Sequence, residues 1–480
     1  MQNGDYQAKI SKQVMCKMWA ETIRNFIYLV LAFFVLQPVI FVVLTVVFQA
    51  HVWDNAPVSM ITVYTWKYTF YIYKILFGVS ITLVVLMAVY FCLRECVIKE
   101  FKPQETRSES LTALIKRSIV SYPELYLLGA TFLWITLAFF LKGNLKDTSG
   151  FGADRGRGYI YYLCYAILFV GFFATTRSQK KYLLEIYVAT ATIIAFLAIV
   201  FDAFGAKRIY AYSFVGAGIF TNRNYFGYFL AISVVLPAVR LYKTKNIYQQ
   251  IYYGVCLVIN EFALLLTLTR GAFLGAVAGI VIMLIYCPIQ EKKFNYKLLI
   301  IPAILIVAYI VLELTGLTHF SGRIGLFIGD MSKVAEATSE EELDGVGSGR
   351  GAIWRELIRQ IKSSPIIGVG IGHTIAPHNE FLQVAAWSGV PAAIFYIAGL
   401  VAVVYNAFKK RKEITDTQLA ALVGAGAYVV SSFFGNGLLQ TIPFYILVLA
   451  LSFDISIELP TDKEAEAETI IGGASEPQKA

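Results

Sequence analysis

Charged residues are scarce in this chain. They make up 15% of its 480 residues, whereas soluble domains hold about a quarter. Hydrophobic residues make up 58%, and the mean hydropathy is +0.64. A cleavable signal peptide is also not predicted, because the first apolar run, residues 25–48, is too long for the hydrophobic region of one. These features exclude a soluble protein and predict an all-α, polytopic membrane protein.

Cysteine and histidine are scarce as well, with six of the first and four of the second. Neither type shows the spacing of zinc ligands, so we predict no disulfide framework and no metal site. Gly368, Gly370 and Gly372 resemble half of a dinucleotide-binding fingerprint, but no strand precedes them and no helix follows. We interpret these glycines as the turn that brings the following residues to the membrane. The sequence therefore predicts no cofactor.

Apolar runs close to the roughly 20 residues that cross a bilayer as a helix recur along the chain. We predict about twelve spans: 25–48, 70–93, 123–141, 159–176, 183–203, 224–241, 251–268, 271–287, 298–314, 381–405, 418–435 and 441–457. Only Thr269, Arg270 and Gly271 separate spans seven and eight. One span followed by a re-entrant segment is the alternative, and it would reverse the topology downstream.

Positive charge sets the orientation of these spans. With the N-terminus in the cytoplasm, most of the 41 Lys and Arg residues fall in cytoplasmic segments, as the positive-inside bias requires. Both termini are then cytoplasmic. The net charge of +9 is explained by basic loops beside anionic lipid, and no nucleic-acid partner is predicted.

The chain divides into three parts. Residues 1–24 form a cytoplasmic N-terminal segment, of which 9–24 could be an interfacial helix with a basic face. Residues 25–457 form one polytopic membrane domain. Residues 458–480, rich in Glu and small residues, are predicted to be a disordered cytoplasmic tail. One long polar loop, 315–379, interrupts the apolar pattern and lies outside the cytoplasm by the charge rule.

This external loop, 315–379, is predicted to carry short helices. Three apolar residues recur in it at every fourth position: Ile353, Leu357 and Ile361. They predict an amphipathic helix that ends before Pro365. Arg350 should lie in its first turn, where free backbone N–H groups and the helix dipole can bind phosphate. We interpret Arg355 and Arg359 as part of a solvated helix face.

Two further arginines border apolar runs on the outer side. Arg270 is bordered by apolar sequence, which is costly unless the side chain reaches water or a partner. It is either a snorkelling residue or a cation aimed into an outward-facing cavity. Arg223 lies between Asn222 and Asn224, which could orient it or bind hydroxyl groups. The alternative for Arg223 is a plain interfacial anchor.

His378 lies where the long loop meets span ten. A lone histidine is usually a satisfied polar residue, but here Asn379, Glu380 and Gln383 follow it at the membrane boundary. Histidine suits general-base work at neutral pH. A base at this position could take a proton from a sugar hydroxyl that attacks an activated anomeric carbon.

Three segments occur in an order that resembles a known family: LTRGAFLGAVAGI, GSGRGAIWRELIRQIKSSPIIGVGIG and HNEFLQVAAWSGVPAAIFYIAGL. In the third, ten residues separate His378 from Gly389, a spacing associated with the ligases of that family. With the long loop before the histidine, they resemble the bacterial O-antigen ligase and O-antigen polymerase superfamily over about residues 220–400. The resemblance implies a polytopic glycosyltransferase of the bacterial cytoplasmic membrane whose active site faces outward.

The resemblance also implies roles for single residues. Arg270 and Arg350 match the essential external arginines of the family, and His378 matches its catalytic base. Arg223 matches a less certain basic position. Asn222 and Asn224 lie beside Arg223 and Asn379 lies beside His378, and all three asparagines are expected to bind substrate. Arg270 fits an R-x3-L pattern of the ligases with Leu274, but Trp354 stands at that spacing after Arg350. This departure weakens the ligase assignment and favours a polymerase.

The function implied is metal-independent, inverting polymerisation of O-antigen or another surface polysaccharide. The alternative within the family is an O-antigen ligase that transfers glycan to lipid A-core or another acceptor. A transporter or flippase of lipid-linked sugar is the alternative of a different class. The implied partners are an undecaprenyl-diphosphate-linked oligosaccharide donor, a glycan or lipid-linked acceptor, membrane lipids and other envelope polysaccharide assembly proteins.

Overall fold

The computed structural model describes residues 2–49, 59–101, 122–142, 158–203, 220, 222–316, 346–374, 377–435, 440–453 and 455, with single positions between 318 and 332. Its main elements are fourteen helices: α1 (Gln2–Gln49), α2 (Ser59–Phe101), α3 (Pro123–Leu141), α4 (Tyr159–Phe173), α5 (Arg177–Ala203), α6 (Arg223–Lys243), α7 (Ile247–Leu266), α8 (Arg270–Glu291), α9 (Lys297–Leu314), α10 (Val346–Ser363), α11 (Glu380–Ser388), α12 (Val390–Lys409), α13 (Asp416–Ser432) and α14 (Ile442–Leu451). The described part is all-α, as predicted.

Eleven of the twelve predicted spans each coincide with one helix, and span ten coincides with two. Nine helices in the described ranges are long and apolar enough to cross a bilayer: α1, α2, α3, α5, α6, α7, α8, α9 and α12. The shorter helices α4, α13 and α14, of 15, 17 and 10 residues, occupy the three remaining predicted positions. The chain is therefore a polytopic membrane protein.

Spans seven and eight are separate helices that run in opposite directions. The backbone reverses at Leu268, whose φ is 54°. Thr269 Oγ1 then lies 3.2 Å from the carbonyl of Arg223, at the start of α6. At the other end of α6, Lys243 Nζ lies 2.7 Å from a carboxylate oxygen of Glu291, the last residue of α8. Helices α6 and α8 are therefore parallel, with α7 antiparallel to both, and the re-entrant alternative is wrong.

Span ten, predicted as one helix, is two helices. Helix α11 ends at Gly389, whose φ of 91° belongs to the left-handed region that glycine adopts without strain. A β-carbon there would lie 1.9 Å from the carbonyl oxygen of Ile366, so only glycine fits. Pro391 follows within the first two positions of α12 and could not donate to a continuing helix. The predicted continuous span 381–405 is therefore wrong.

The N-terminal boundary also differs from the prediction. Helix α1 is continuous from Gln2 to Gln49, so residues 9–24 are not a separate interfacial helix. Within this helix, Val14–Phe41 is long and apolar enough to cross a membrane. The predicted disordered tail and the acidic run of the long loop lie outside the described residues.

Helices α6, α8 and α13 pack closely because small residues line their contacts. A β-carbon on Gly275 of α8 would lie 1.9 Å from Ser431 Oγ, and one on Gly271 would lie 2.5 Å from Phe434 Cβ. These two contacts show that α13 runs antiparallel to α8. The start of α6, the start of α8 and the end of α13 therefore meet, and we call this meeting point, with Arg223, Arg270 and Phe434, the arginine end.

Candidate active site

Arg223 and Arg270 are the first residues of α6 and α8, and both are half-buried. Asn222 caps α6, since its side-chain oxygen accepts the backbone N–H of Asn224 at 2.8 Å. Thr269 Oγ1 lies 3.3 Å from Asn224 Oδ1 as well as near the Arg223 carbonyl. Thr269 thus ties the two helix starts together through Arg223 and Asn224, and the side-chain oxygens of Asn222 and Asn224 both have partners within the protein.

The electrostatics of the arginine end favour an anion. The N-terminus of a helix carries about half a positive charge, which disfavours a cation in the first turn. Here two helices begin with arginine, Arg223 and Arg270, at the same end of the bundle. Positive potential from two side chains and two helix dipoles therefore accumulates in one place, which is the arrangement that binds phosphate groups.

The carbonyl of Phe434 brings a third arginine to this end. It accepts the hydroxyl of Tyr228, from α6, at 2.8 Å and the Nη1 of Arg350, from α10, at 3.2 Å. Phe434 also packs against Gly271, the residue after Arg270. A residue of the long loop thus joins the ends of α6, α8 and α13, and three arginines from distant parts of the sequence lie at one end of the bundle.

Helix α10 differs from the prediction at its start. It begins at Val346, so Arg350 is in its second turn and not in its first. The backbone N–H groups beside Arg350 belong to the helix interior, and the predicted phosphate site at this helix start is wrong. Leu357 is buried and α10 ends at Ser363, before Pro365, which confirms the amphipathic helix and its end.

Arg359, also on α10, pairs with a residue of its own helix and not with the arginine end. Arg359 is 79% exposed and its Nη2 lies 2.9 Å from a carboxylate oxygen of Glu356. The Arg359 guanidinium holds the pKa of the Glu356 carboxyl below its ordinary value. Arg359 therefore lies on a solvated face, as interpreted from the sequence, and Arg355 is half-buried.

His378 occupies a turn that α10 holds in place. The indole N–H of Trp354 donates to the carbonyl of Pro377 at 2.8 Å, next to His378. Trp354 and Arg350 are four residues apart on α10 and so share one face of the helix. The backbone of His378 is left-handed, with φ of 50°, which is uncommon outside glycine and is maintained only by its surroundings. One helix thus fixes both Arg350 and the turn that carries His378.

Asn379 stabilises the start of α11. It is the N-cap residue, and its side-chain oxygen accepts the backbone N–H of Leu382 at 3.0 Å. The residue is 9% exposed. The oxygen that we expected to bind substrate therefore has a partner within the protein, as at Asn222.

Backbone hydrogen bonds join the segment before His378 to the end of α11. Backbone N–H groups of Val369 and Gly370 donate to the carbonyls of Ala386 and Trp387 at 2.7 and 3.1 Å. The N–H of Val390 donates to the Pro365 carbonyl at 2.8 Å. The three glycines singled out in the sequence (Gly368, Gly370 and Gly372) all have positive φ, between 67° and 109°. They form the turn that the sequence predicts.

A cavity of about 480 Å³ lies beside the first turn of α11, which follows His378. It lies among α3, α4, α11, α12 and α14, and its walls are almost entirely apolar. Glu380 and Gln383, from the first turn of α11, are among its few polar lining residues. The turn with His378 therefore has the arginine end on one side, through Trp354, and an apolar cavity on the other, through Glu380.

Sequence reasoning missed three contributors to this arrangement: Trp354, Tyr228 and the Phe434 carbonyl. The four-residue spacing from Arg350 was a signal for Trp354, but we took it only as a departure from a ligase pattern. No signal marks Phe434, because its contribution is a backbone oxygen that any residue would supply. Among the described residues, no three His, Cys, Asp or Glu side chains lie close enough together to hold a metal ion.

Comparison with known proteins identifies one segment. Residues 255–397 match the family model described as O-antigen ligase. The match contains Arg270, Arg350 and His378, whereas Arg223 and its flanking asparagines precede it. No curated protein matches the chain. Residues 255–397, which carry two of the three arginines and the histidine, are thus similar to the O-antigen ligase family, and this match supports the resemblance to O-antigen ligases and polymerases.

Proposed function

We propose that the protein transfers glycan from an undecaprenyl-diphosphate-linked donor on the outer face of the bacterial cytoplasmic membrane, and that it polymerises O-antigen or another surface polysaccharide. One observation carries the proposal. The bond from Arg350 to the Phe434 carbonyl brings a third guanidinium to the end where Arg223 and Arg270 begin their helices. The match of residues 255–397 to the O-antigen ligase family supports the general reaction, which is glycosyl transfer between membrane-bound substrates.

The arginines act on the leaving group. Cleavage of the bond between the anomeric carbon and the diphosphate oxygen builds negative charge on the diphosphate. Guanidinium groups match phosphate oxygens with paired hydrogen bonds, and preorganised donors stabilise developing charge most effectively. Arg270 and Arg350 bind the diphosphate directly in this proposal, and Arg223 adds positive potential beside them.

His378 acts on the acceptor. Its imidazole takes the proton of the attacking sugar hydroxyl while that oxygen bonds to the anomeric carbon. The bond from this carbon to the diphosphate breaks on the opposite face, and undecaprenyl diphosphate leaves with the electron pair. A single displacement of this kind inverts the anomeric centre. The activated donor supplies the driving force, so no external cofactor is required.

The apolar cavity beside α11 suits the hydrocarbon chain of the donor. The anomeric carbon is bonded directly to the lipid diphosphate, so the chain must begin close to the reacting atoms. The cavity adjoins the turn of His378 through Glu380, and its walls are apolar over about 480 Å³. Because the chain already lies in hydrocarbon in the bilayer, an apolar lining lets it enter the cavity without the cost that polar walls would impose.

Polymerase is favoured over ligase by the residue four positions after Arg350. Trp354 stands where the ligase pattern has leucine, and it holds the Pro377 carbonyl. The alternative is transfer to lipid A-core. The two activities are separated by incubating the purified protein with the lipid-linked repeat unit, with and without a lipid A-core acceptor. A glycan ladder without the core indicates polymerase, whereas glycan-capped core indicates ligase.

The proposal is tested by removing the acting side chains. His378→Ala and Arg350→Ala should each reduce transfer below detection while the protein stays folded in the membrane. Arg359→Ala is the matched control, because Arg359 lies on the same helix as Arg350 but on a solvated face. Full activity in the first two variants would contradict the assignment. If the wild type formed neither the ladder nor the capped core, glycosyl transfer would be excluded.

A further inference from the structure

Glu380 is a buried carboxylate immediately beside the proposed catalytic turn. It is the first residue of α11, two positions after His378, and is 7% exposed. Burying an acid costs several kcal/mol unless hydrogen bonds compensate it. An apolar residue of similar size would pack as well, so the partners of this carboxylate explain its presence.

Those partners are phenol groups from other helices. Glu380 Oε2 accepts the hydroxyl of Tyr428, on α13, at 2.9 Å, and Oε1 lies 3.2 Å from the hydroxyl of Tyr396, on α12. The Tyr396 hydroxyl also lies 3.1 Å from that of Tyr445, on α14. The rings of Tyr428 and Tyr445 stack with centroids 4.3 Å apart. One carboxylate thus joins the start of α11 to three membrane helices.

Ring contacts hold the same turn of α11. Phe381 stacks on Tyr396, with centroids 5.6 Å apart, and lies 4.5 Å from the ring of Phe433 at the end of α13. These contacts fix the distance of α11 from its neighbours. The backbone bonds from Val369 and Gly370 orient the far end of α11, and the hydrogen bonds to the two oxygens of Glu380 orient its first turn, because hydrogen bonds are directional.

The rotation of α11 decides where His378 points. The left-handed backbone at His378, with φ of 50°, is strained for a residue with a side chain. Trp354 holds the residue before it, through the Pro377 carbonyl. The residues after it are held through the first turn of α11, where the Asn379 cap, the ring contacts of Phe381 and the hydrogen bonds of Glu380 lie.

We propose that Glu380 is a positioning residue, and that its hydrogen bonds to Tyr428 and Tyr396 lock the start of α11 and hold the turn of His378 in its left-handed conformation. Glu380 acts through this turn and does not touch the reacting atoms. The inference rests on the proposed function only for its effect on turnover. The locking of the turn can be measured without any glycan substrate.

The test compares amide hydrogen exchange in four variants in lipid nanodiscs. Glu380→Leu and Tyr428→Phe should each accelerate exchange over residues 377–388 by about tenfold, because each removes a charge-assisted hydrogen bond. In Glu380→Gln, which keeps an acceptor, the exchange rate should lie between the rates of these two variants and that of the wild type. Tyr187→Phe is the matched control: its buried hydroxyl bonds to α6, and its loss should leave residues 377–388 unchanged.

Turnover gives the second measurement. In Glu380→Leu and Tyr428→Phe, kcat should fall by about 10- to 100-fold, since a small misplacement of a reacting group costs that much. KM for the donor should change less than about twofold, because the arginines are untouched. Glu380→Gln should recover part of kcat. The proposal would be overturned by any of three results. These are unchanged exchange at 377–388, exchange that rises equally throughout the protein, and an unaltered kcat.

Discussion

Trp354→Phe is the substitution that tests most directly whether α10 positions His378. It removes the indole N–H that donates to the Pro377 carbonyl at 2.8 Å and keeps an aromatic ring in the half-buried site. The packing loss is therefore small, and the principal change is one hydrogen bond next to the histidine.

The size of the effect follows from that bond. A carbonyl that loses its partner in a part-buried site costs about 1–3 kcal/mol. Each 1.4 kcal/mol changes a rate or population by about tenfold. Since the left-handed turn at His378 is strained and depends on its surroundings, we expect most of this cost to appear as displacement of the histidine. The rate of transfer should fall by about tenfold.

The assay measures initial rates of glycan transfer, normalised to the amount of protein that binds a donor analogue. Trp134→Phe is the matched control, because its indole N–H also donates to a loop carbonyl, that of Ile366, at 3.0 Å. Ile366 precedes His378 by twelve residues, so this variant should retain at least about half of the activity. Equal losses in both variants, or a wild-type rate in Trp354→Phe, would refute the reasoning.

Three further predictions concern packing and topology. Gly389→Ala should destabilise the protein by about 3 kcal/mol or more, because its β-carbon would overlap the Ile366 carbonyl in a backbone conformation with φ of 91°; a thermal midpoint equal to the wild type would contradict this. Gly275→Ala should cost about 1–3 kcal/mol through overpacking against α13, whereas Gly254→Ala, which meets open space, should not lower the midpoint. Gly345→Cys in a cysteine-free variant should react with an impermeant thiol reagent on intact cells, and protection would place the long loop in the cytoplasm.

The helical architecture could be predicted from the sequence because the bilayer demands long apolar helices. Eleven of the twelve predicted spans each coincide with one helix of the described part. The break at Gly389 in span ten could not be predicted, since glycine and proline also occur inside membrane helices. The contact that requires glycine there is with the Ile366 carbonyl, and it joins segments 23 positions apart.

The identities of the candidate site residues could be predicted from the sequence, but their arrangement could not. Arginine and histidine stand out at the borders of apolar runs, so Arg223, Arg270, Arg350 and His378 could be selected from the sequence. Their arrangement depends on backbone groups, above all the carbonyl of Phe434, and a backbone carbonyl has no signature in a sequence. The start of α10 was also misplaced, because the apolar pattern begins only at Ile353, whereas the helix already includes Gly347 and Gly349.

The backbone bonds between the segment 365–370 and α11 limit how the protein can admit a large glycan. Peeling this segment away would leave the N–H groups of Val369 and Gly370 and the carbonyls of Ala386 and Trp387 without partners. Next to a lipid bilayer each such group costs several kcal/mol. The segment therefore stays attached to α11 next to the turn of His378 and does not act as a hinged lid. Any opening that lets a long polysaccharide enter or leave has to come from another part of the chain.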